Sequence, residues 1–152
     1  MKKIVSILFV ALIALAFVGC PTTYDTNYPL TVIVGDIVGD FSGVLTGGGA
    51  DTGVEPVNNG DGTYSVTFAY RDDMNSWNGG DGKCSFKMRT VANDWGAPSY
   101  GIGETPVELG GDFVPVYSTS PDNITVEGLI DGNTYTITFK VSGDQVSVKV
   151  SE

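Results

Sequence analysis

Short runs of alternating apolar and polar residues, separated by glycine, asparagine, aspartate and proline, fill the second half of this chain. The clearest runs span residues 63–70, 84–89, 134–141 and 145–150. Alternation with a period of two is the pattern of a half-buried β-strand. The Ser142-Gly143-Asp144 turn joins the last two runs as a β-hairpin. Because no segment after residue 20 has a helical period and the chain holds 21 glycines, the sequence predicts an all-β antiparallel sandwich.

Weaker strand patterns precede these runs. Residues 30–34 form the first apolar β-type run, and the glycine-rich stretch 39–62 holds one or two short strands near 41–45 and 54–57. Its Gly47-Gly48-Gly49 run is expected to be a flexible tip. The stretch lacks the Lys-Ser/Thr ending and the following helix of a phosphate-binding loop, so it does not predict a nucleotide site.

The N-terminus carries the features of an export signal. A basic Met1-Lys2-Lys3 start precedes an apolar run over 4–17, which is shorter than the roughly 20 residues of a membrane-spanning helix. The following Phe-Val-Gly-Cys, residues 17–20, is similar to a bacterial lipobox in which Cys20 is acylated, with Phe17 in the position usually held by leucine. The alternative is an ordinary signal peptide that contains a cysteine.

These patterns predict a lipoprotein signal peptide over 1–19, an acylated cysteine and tether over 20–29, and a single β-sandwich domain over 30–152. The protein is expected to be exported and lipid-anchored to a bacterial membrane. We favour the outer membrane or cell surface over the inner membrane.

Charge and composition exclude several classes of function. The net charge is −10, and removal of Lys2 and Lys3 leaves six basic against 18 acidic residues, a net charge of −12. This balance argues against nucleic-acid partners and against electrostatic binding to an anionic surface. Histidine is absent, which excludes Ser-His-Asp and Cys-His catalytic sets. With Cys20 acylated, Cys84 has no disulfide partner, and we expect it to be a small buried hydrophobic residue.

The acidic residues are more typical of β-turns than of a metal site or a hydrolase site. The segments 59–62 and 79–82 lack the ligand spacing of an EF-hand and carry the Asn, Asp and Gly that tight β-turns need. Two carboxylate pairs lie in polar sequence, where both would stay solvated instead of forming a dry hydrolase site. The pairs are Asp72 with Asp73 and Glu104 with Glu108. We therefore expect no enzyme activity, no metal and no cofactor.

The segment FKMRTVANDWGAPSYG, residues 86–101, contains the candidate ligand-binding residues. In the run 84–89, Lys87 and Arg89 are expected to project together from the outer face. Sugar sites combine flat aromatic platforms with polar side chains at their edge. The candidate set is Trp77, Lys87, Arg89, Asn93, Asp94, Trp95 and Tyr100. The alternative is structural: Trp95 plugs the end of the sandwich, Tyr100 caps a turn, and the two cations are merely solvated. From these residues alone, the structural interpretation is preferred.

The same segment, followed by PDNITV at 121–126 and GNTYTITFKVSGDQVSV at 132–148, resembles the repeated domain of SusE/SusF-type outer-membrane lipoproteins. The shared order is F-K-x-R, D-W-G, Y-G, D-N-I and G-x-Y-x-I-x-F, over about residues 63–150. The resemblance implies an immunoglobulin-like or starch-binding-type β-sandwich of eight or so strands. It also implies surface display on a lipid anchor and capture of an α-glucan or another glycan.

The leading hypothesis is a membrane-anchored, non-catalytic glycan-binding lipoprotein. Two alternatives remain: a surface or periplasmic sandwich that binds an envelope protein partner, and a structural envelope lipoprotein. Exposed, coplanar aromatic rings near Lys87 or Arg89 would favour glycan binding, whereas burial of those rings would favour the alternatives.

Overall fold

The computed structural model describes residues 32–38, 53–74, 82–91 and 98–152. Nine strands lie in these ranges. They are β1 (Val32–Gly35), β2 (Val57–Asn58), β3 (Thr63–Ala69), β4 (Lys83–Arg89), β5 (Ser99–Ile102), β6 (Val114–Tyr117), β7 (Ile124–Glu127), β8 (Thr134–Ser142) and β9 (Gln145–Ser151). Short 3-10 helices occupy Asp36–Val38 and Asp72–Met74, and neither helix of the described part has the length or apolarity to cross a membrane. The predicted signal peptide, Cys20, the tether and the strand near 41–45 lie outside the described ranges.

The strands form one curled antiparallel sheet in the order β1-β4-β5-β6-β9-β8-β3-β2, with β7 paired to the first half of β4. Strand β5 pairs with β4 on one edge and with β6 on the other, so it joins the two halves of the sheet. The halves pack face to face, since the ring of Phe86 on β4 meets the ring of Phe139 on β8 edge-on, with centroids 6.3 Å apart. The predicted all-β antiparallel sandwich is confirmed.

The four alternating runs of the sequence become β3, β4, β8 and β9. On β8 the alternation separates buried side chains from half-buried or exposed ones along the whole strand. Its buried members are Tyr135, Ile137, Phe139 and Val141. The predicted hairpin is also confirmed: Ser142 pairs with Gln145, so Gly143 and Asp144 form a two-residue turn in which Gly143 has φ +59°.

Polar groups within the sandwich are tied to the backbone. The hydroxyl of Tyr135 accepts a hydrogen bond at 2.9 Å from the amide of Ile130, five residues upstream, an arrangement like the tyrosine corner of Greek-key sandwiches.

Cys84 is fully buried, as predicted. Burial raises the pKa of its thiol, and the nearby carboxylate of Asp36 adds to this effect.

The first acidic segment is a turn, as predicted. The carboxylate of Asp61 accepts hydrogen bonds from the hydroxyl and the amide of Thr63, and these bonds lower the pKa of Asp61. The side chain of Asn58 accepts from the amide of Gly60 at 2.9 Å. Both predicted carboxylate pairs, at 72–73 and at 104 and 108, are exposed to solvent.

Candidate functional site

The prediction that Lys87 and Arg89 project into solvent is wrong. They do lie on the face of β4 opposite Cys84, Phe86 and Met88, but Lys87 is 9% exposed and Arg89 is 1% exposed. Strand β4 is central, with β1 on one edge and β7 and β5 on the other. A central strand can be covered on both faces, so alternation along it does not imply contact with water.

The loop between β6 and β7 contacts this second face of β4, and Gly53 lies against the neighbouring strand β1. The ammonium group of Lys87 donates to the backbone carbonyl of Pro121 at 2.7 Å and to that of Ser120 at 3.4 Å. Gly53 packs so closely on β1 that a side chain there would meet Val34. Lys87 therefore anchors a loop and is not available to a soluble ligand.

Tyr100 is also unsuited to stack on a sugar. It lies on β5 opposite Met88 and is 7% exposed, so its ring belongs to the core. The other four candidates lie outside the described residues, and their roles stay predictions. They are Trp77, Asn93, Asp94 and Trp95.

Exposed aromatic surface is found instead around β6. Tyr117 is 52% exposed and Phe113 is half-buried just before the strand. Together with Pro115, these side chains form one wall of an open cleft of about 310 Å³, which we call the Phe113 cleft. The other wall is the turn end of the β8–β9 hairpin. It contributes Lys140, Ser142, Asp144, Gln145 and Ser147.

Strand pairing explains why these residues meet. Phe113, Pro115 and Tyr117 share one side because successive strand residues point to opposite faces. Pro115 lies opposite Ser147 on β9, and Ser147 lies opposite Lys140 on β8. The outward side chains of three adjacent strands therefore line one depression on the outer surface of the sandwich.

Two lysines flank the aromatic ring of the cleft. The ammonium group of Lys149 lies 4.9 Å from the ring centroid of Phe113, and that of Lys140 lies 5.7 Å from it. Both distances are within the range of cation–π attraction. The ring thus holds two positive charges beside a site that also offers hydroxyl, amide and carboxylate groups.

Tyr117 stands at the boundary between this cleft and a second depression of similar size, lined by Gly103, Glu104, Thr105 and Pro115. Its ring lies close to the backbone at Gly103, where a Cβ atom would be 2.5 Å from Cε2 of Tyr117. The absence of a side chain at position 103 therefore sets the position of the exposed ring.

A larger cleft of about 490 Å³ lies beside residues 102–109. It has three exposed or partly exposed carboxylates, from Glu104, Glu108 and Glu127, and no aromatic side chain. Within the described ranges, no three acidic, cysteine or histidine side chains come together as metal ligands. This cleft lacks the flat apolar platform that a sugar ring needs.

Comparisons of the chain with family models, curated proteins and solved structures gave no match. The resemblance to SusE/SusF-type domains therefore stays a prediction.

The sequence contains a signal for this site that the strand predictions did not use. F-V-P-V-Y, residues 113–117, places two aromatic side chains and a proline at every second position. On a strand, that spacing gives one flat face made of rings.

Proposed function

We propose that the protein is an exported, lipid-anchored and non-catalytic glycan-binding module, and that its sugar site is the Phe113 cleft. The observation that carries the proposal is the exposed ring of Tyr117 in the cleft that Phe113 also lines, with polar side chains around it. Sugars present apolar C–H faces and a rim of hydroxyl groups. A flat ring with amide, hydroxyl and charged neighbours matches both features.

The size and openness of the cleft favour a short part of a longer chain. About 310 Å³ is at the lower end of the range for small-molecule sites. The cleft lies on a sheet surface and is not enclosed, so a polysaccharide can enter and leave it along its length. We therefore expect weak binding by a single domain and stronger retention when many copies share one membrane.

Affinity gel electrophoresis in the presence of soluble glycans tests the proposal. The panel should include neutral α-glucans, other neutral polysaccharides and acidic polysaccharides. We expect retardation by at least one of them and a loss of about tenfold or more in affinity for Phe113→Ala/Tyr117→Ala, because aromatic anchors carry much of the energy of such interfaces. The matched control is Val57→Ala/Ile130→Ala, which removes two exposed apolar side chains elsewhere.

The outcomes separate the alternatives. If no glycan retards the protein, glycan binding is wrong and the protein-partner hypothesis gains. If retardation is lost in Trp77→Ala/Trp95→Ala but not in Phe113→Ala/Tyr117→Ala, a glycan site exists but the Phe113 cleft is not that site. For the anchor, Cys20→Ala should move the protein from the detergent phase to the aqueous phase in a phase-partition assay, whereas Cys84→Ala should not.

A further inference from the structure

The cations of the chain are few, and most have a structural role. Six basic residues follow residue 20, and all six lie in the described ranges. Four are engaged away from the Phe113 cleft, two in surface ion pairs and two on the buried strand β4. The ion pairs are Arg71–Asp73 and Lys83–Glu127, and the buried side chains are Lys87 and Arg89.

Lys140 and Lys149 are arranged differently. Among the carboxylates that the structure describes, none has an oxygen within 4.0 Å of either ammonium group. Lys140 lies opposite Ser147, and Lys149 lies opposite Thr138, so the two lysines are diagonal neighbours on one face of the β8–β9 hairpin. Like charges in neighbouring positions of a sheet repel each other. Both ammonium groups are nevertheless held at the ring of Phe113.

We propose that the Phe113 cleft selects acidic saccharides, whose carboxylate or sulfate group binds the ammonium group of Lys140, which lines the cleft, and that of Lys149, which lies at the same ring of Phe113. The sugar ring itself packs on Tyr117, because the two ammonium groups already lie over the ring of Phe113. This inference rests on the proposed glycan-binding function, since it names the class of glycan that the same site takes. An anion relieves the repulsion between the two lysines and gives both charges a partner.

The ring of Phe113 prepares the lysines for this role. A free lysine side chain loses rotamer freedom when it binds a ligand, which weakens most exposed ion pairs. Contact with the ring restricts both side chains before the ligand arrives, so less freedom is lost on binding. An ammonium group over a ring face also keeps N–H donors directed away from the ring, where a carboxylate or sulfate can accept from them.

The acidic character of the whole protein does not exclude an anionic ligand. At physiological ionic strength, charges more than about 8 Å away are largely screened. The carboxylates outside the cleft therefore have little effect, and the two lysines outnumber Asp144, the one carboxylate among the described residues that line the cleft. Asp144 lines the same cleft and is suited to accept from a sugar hydroxyl. Lys140 also helps to lower the pKa of Asp61, but as the weakest cause, after the hydrogen bonds from Thr63.

Charge-matched variants test this inference in the full-length protein. Lys140→Gln/Lys149→Gln removes the two positive charges beside Phe113, and Arg71→Gln/Lys83→Gln removes the same number of charges from surface ion pairs elsewhere. The probes are polygalacturonate, dextran sulfate, neutral dextran, a neutral galactan and the sugar-free polyanion polyglutamate. The dissociation constant of the wild type and of each double variant is measured for every probe, at low and at physiological salt.

We expect at least one acidic polysaccharide to bind about tenfold more tightly than its neutral counterpart, which corresponds to about two favourable ion pairs. Lys140→Gln/Lys149→Gln should lose that advantage, and Arg71→Gln/Lys83→Gln should keep it. Tight binding of only polygalacturonate or only dextran sulfate would assign the acid group as carboxylate or sulfate, respectively.

Four results would overturn the inference. Equal affinity for acidic and neutral polysaccharides would leave the proposed glycan-binding function standing and remove only the acidic selectivity. An equal loss of affinity for the acidic polysaccharide in the two double variants would show that the net charge of the protein, and not the cleft, attracts the ligand. Polyglutamate binding as tightly as the acidic polysaccharides would show that the sugar has no part in recognition. If none of the glycans binds, the proposed function fails as well.

Discussion

The ammonium group of Lys87 donates a hydrogen bond to the backbone carbonyl of Pro121 at 2.7 Å. This contact joins the centre of β4 to the loop between β6 and β7. It also shows how a lysine is accommodated on a buried face: Lys87 pairs with Val34 of β1 and is 9% exposed, and its charged end reaches two carbonyl oxygens of that loop. Lys87 is therefore a structural residue of the fold.

Two substitutions separate the roles of the stem and the charge of Lys87. Lys87→Met keeps the length of the stem and removes the ammonium group, whereas Lys87→Ala removes both. We expect Lys87→Ala to lower the free energy of unfolding by about 2 kcal/mol more than Lys87→Met, because it leaves a cavity beside β1. Urea denaturation of both variants measures this difference. Equal stability of the two variants would show that the stem does not contribute to packing.

Burial of Lys87 also predicts a pH dependence. Burial lowers the pKa of its ammonium group, although nearby Asp122 acts in the opposite direction. Between this lowered pKa and the unfolded value of about 10.4, the unfolded chain binds more protons than the folded protein, so stability rises with pH. The free energy of unfolding of the wild type, relative to Lys87→Met, should therefore increase as the pH approaches about 10.4. A constant difference between the two proteins would contradict the lowered pKa.

The strands differ in how far the sequence reveals them. β3, β8 and β9 could be predicted because their alternation is unbroken and turn residues lie beside them. β5, β6 and β7 have four residues each, which is too short for a periodic pattern, and β6 also contains Pro115. Proline is accepted there because β5 pairs only with Val116 and Tyr117, so β6 has a free edge at position 115.

The error about Lys87 and Arg89 has a physical cause. Alternation determines which side chains share a face of a strand, but it contains no information about what packs on that face. On this part of β4, Lys87 contacts the carbonyls of Ser120 and Pro121, which are more than thirty residues away. Such contacts depend on tertiary structure, and short sequence patterns do not predict them.

Part of the candidate site could be predicted from the sequence. A two-residue turn at Gly143 and Asp144 fixes the register of the last hairpin, and this register makes Lys140 and Lys149 diagonal neighbours. The position of Phe113 could not be predicted, because it depends on the pairing of β6 with β9. The aromatic platform and its cations come together only when that pairing is known.

Two glycines with positive φ should respond differently to alanine. At Gly35, φ is +134° and a Cβ atom would overlap the carbonyl oxygen of Ser85 on β4. Strain and overlap together should lower the free energy of unfolding of Gly35→Ala by about 3 kcal/mol or more. At Gly143, φ is +59° and the space is open, so the cost is the left-handed backbone alone, about 1 kcal/mol. Thermal and urea denaturation compare the two variants, and equal losses would contradict the close approach of β1 and β4.

The hydroxyl of Tyr135 should contribute to stability, unlike that of Tyr117. Tyr135→Phe leaves the partly buried amide of Ile130 without its acceptor and should cost about 1–2 kcal/mol. Tyr117→Phe removes a hydroxyl from an exposed ring and should change stability by less than about 0.5 kcal/mol. Each variant loses one oxygen atom, so the pair is matched. Hydrogen exchange at the Ile130 amide should become faster only in Tyr135→Phe. Unchanged protection of that amide would contradict its hydrogen bond to the Tyr135 hydroxyl.

Gly103→Ala tests the exposed platform without removing an aromatic ring. The new methyl group would lie 2.5 Å from Cε2 and 3.0 Å from Cδ2 of Tyr117, so the ring must leave its place on the backbone. An exposed ring can rotate away at little cost, and we expect a stability loss of less than about 1 kcal/mol. Glycan affinity should fall about tenfold, as for Tyr117→Ala, because a displaced ring no longer faces the sugar. The two losses should not add in Gly103→Ala/Tyr117→Ala, since both act through one ring. Fully additive losses, measured by affinity gel electrophoresis, would show that Gly103 influences binding by a route other than Tyr117.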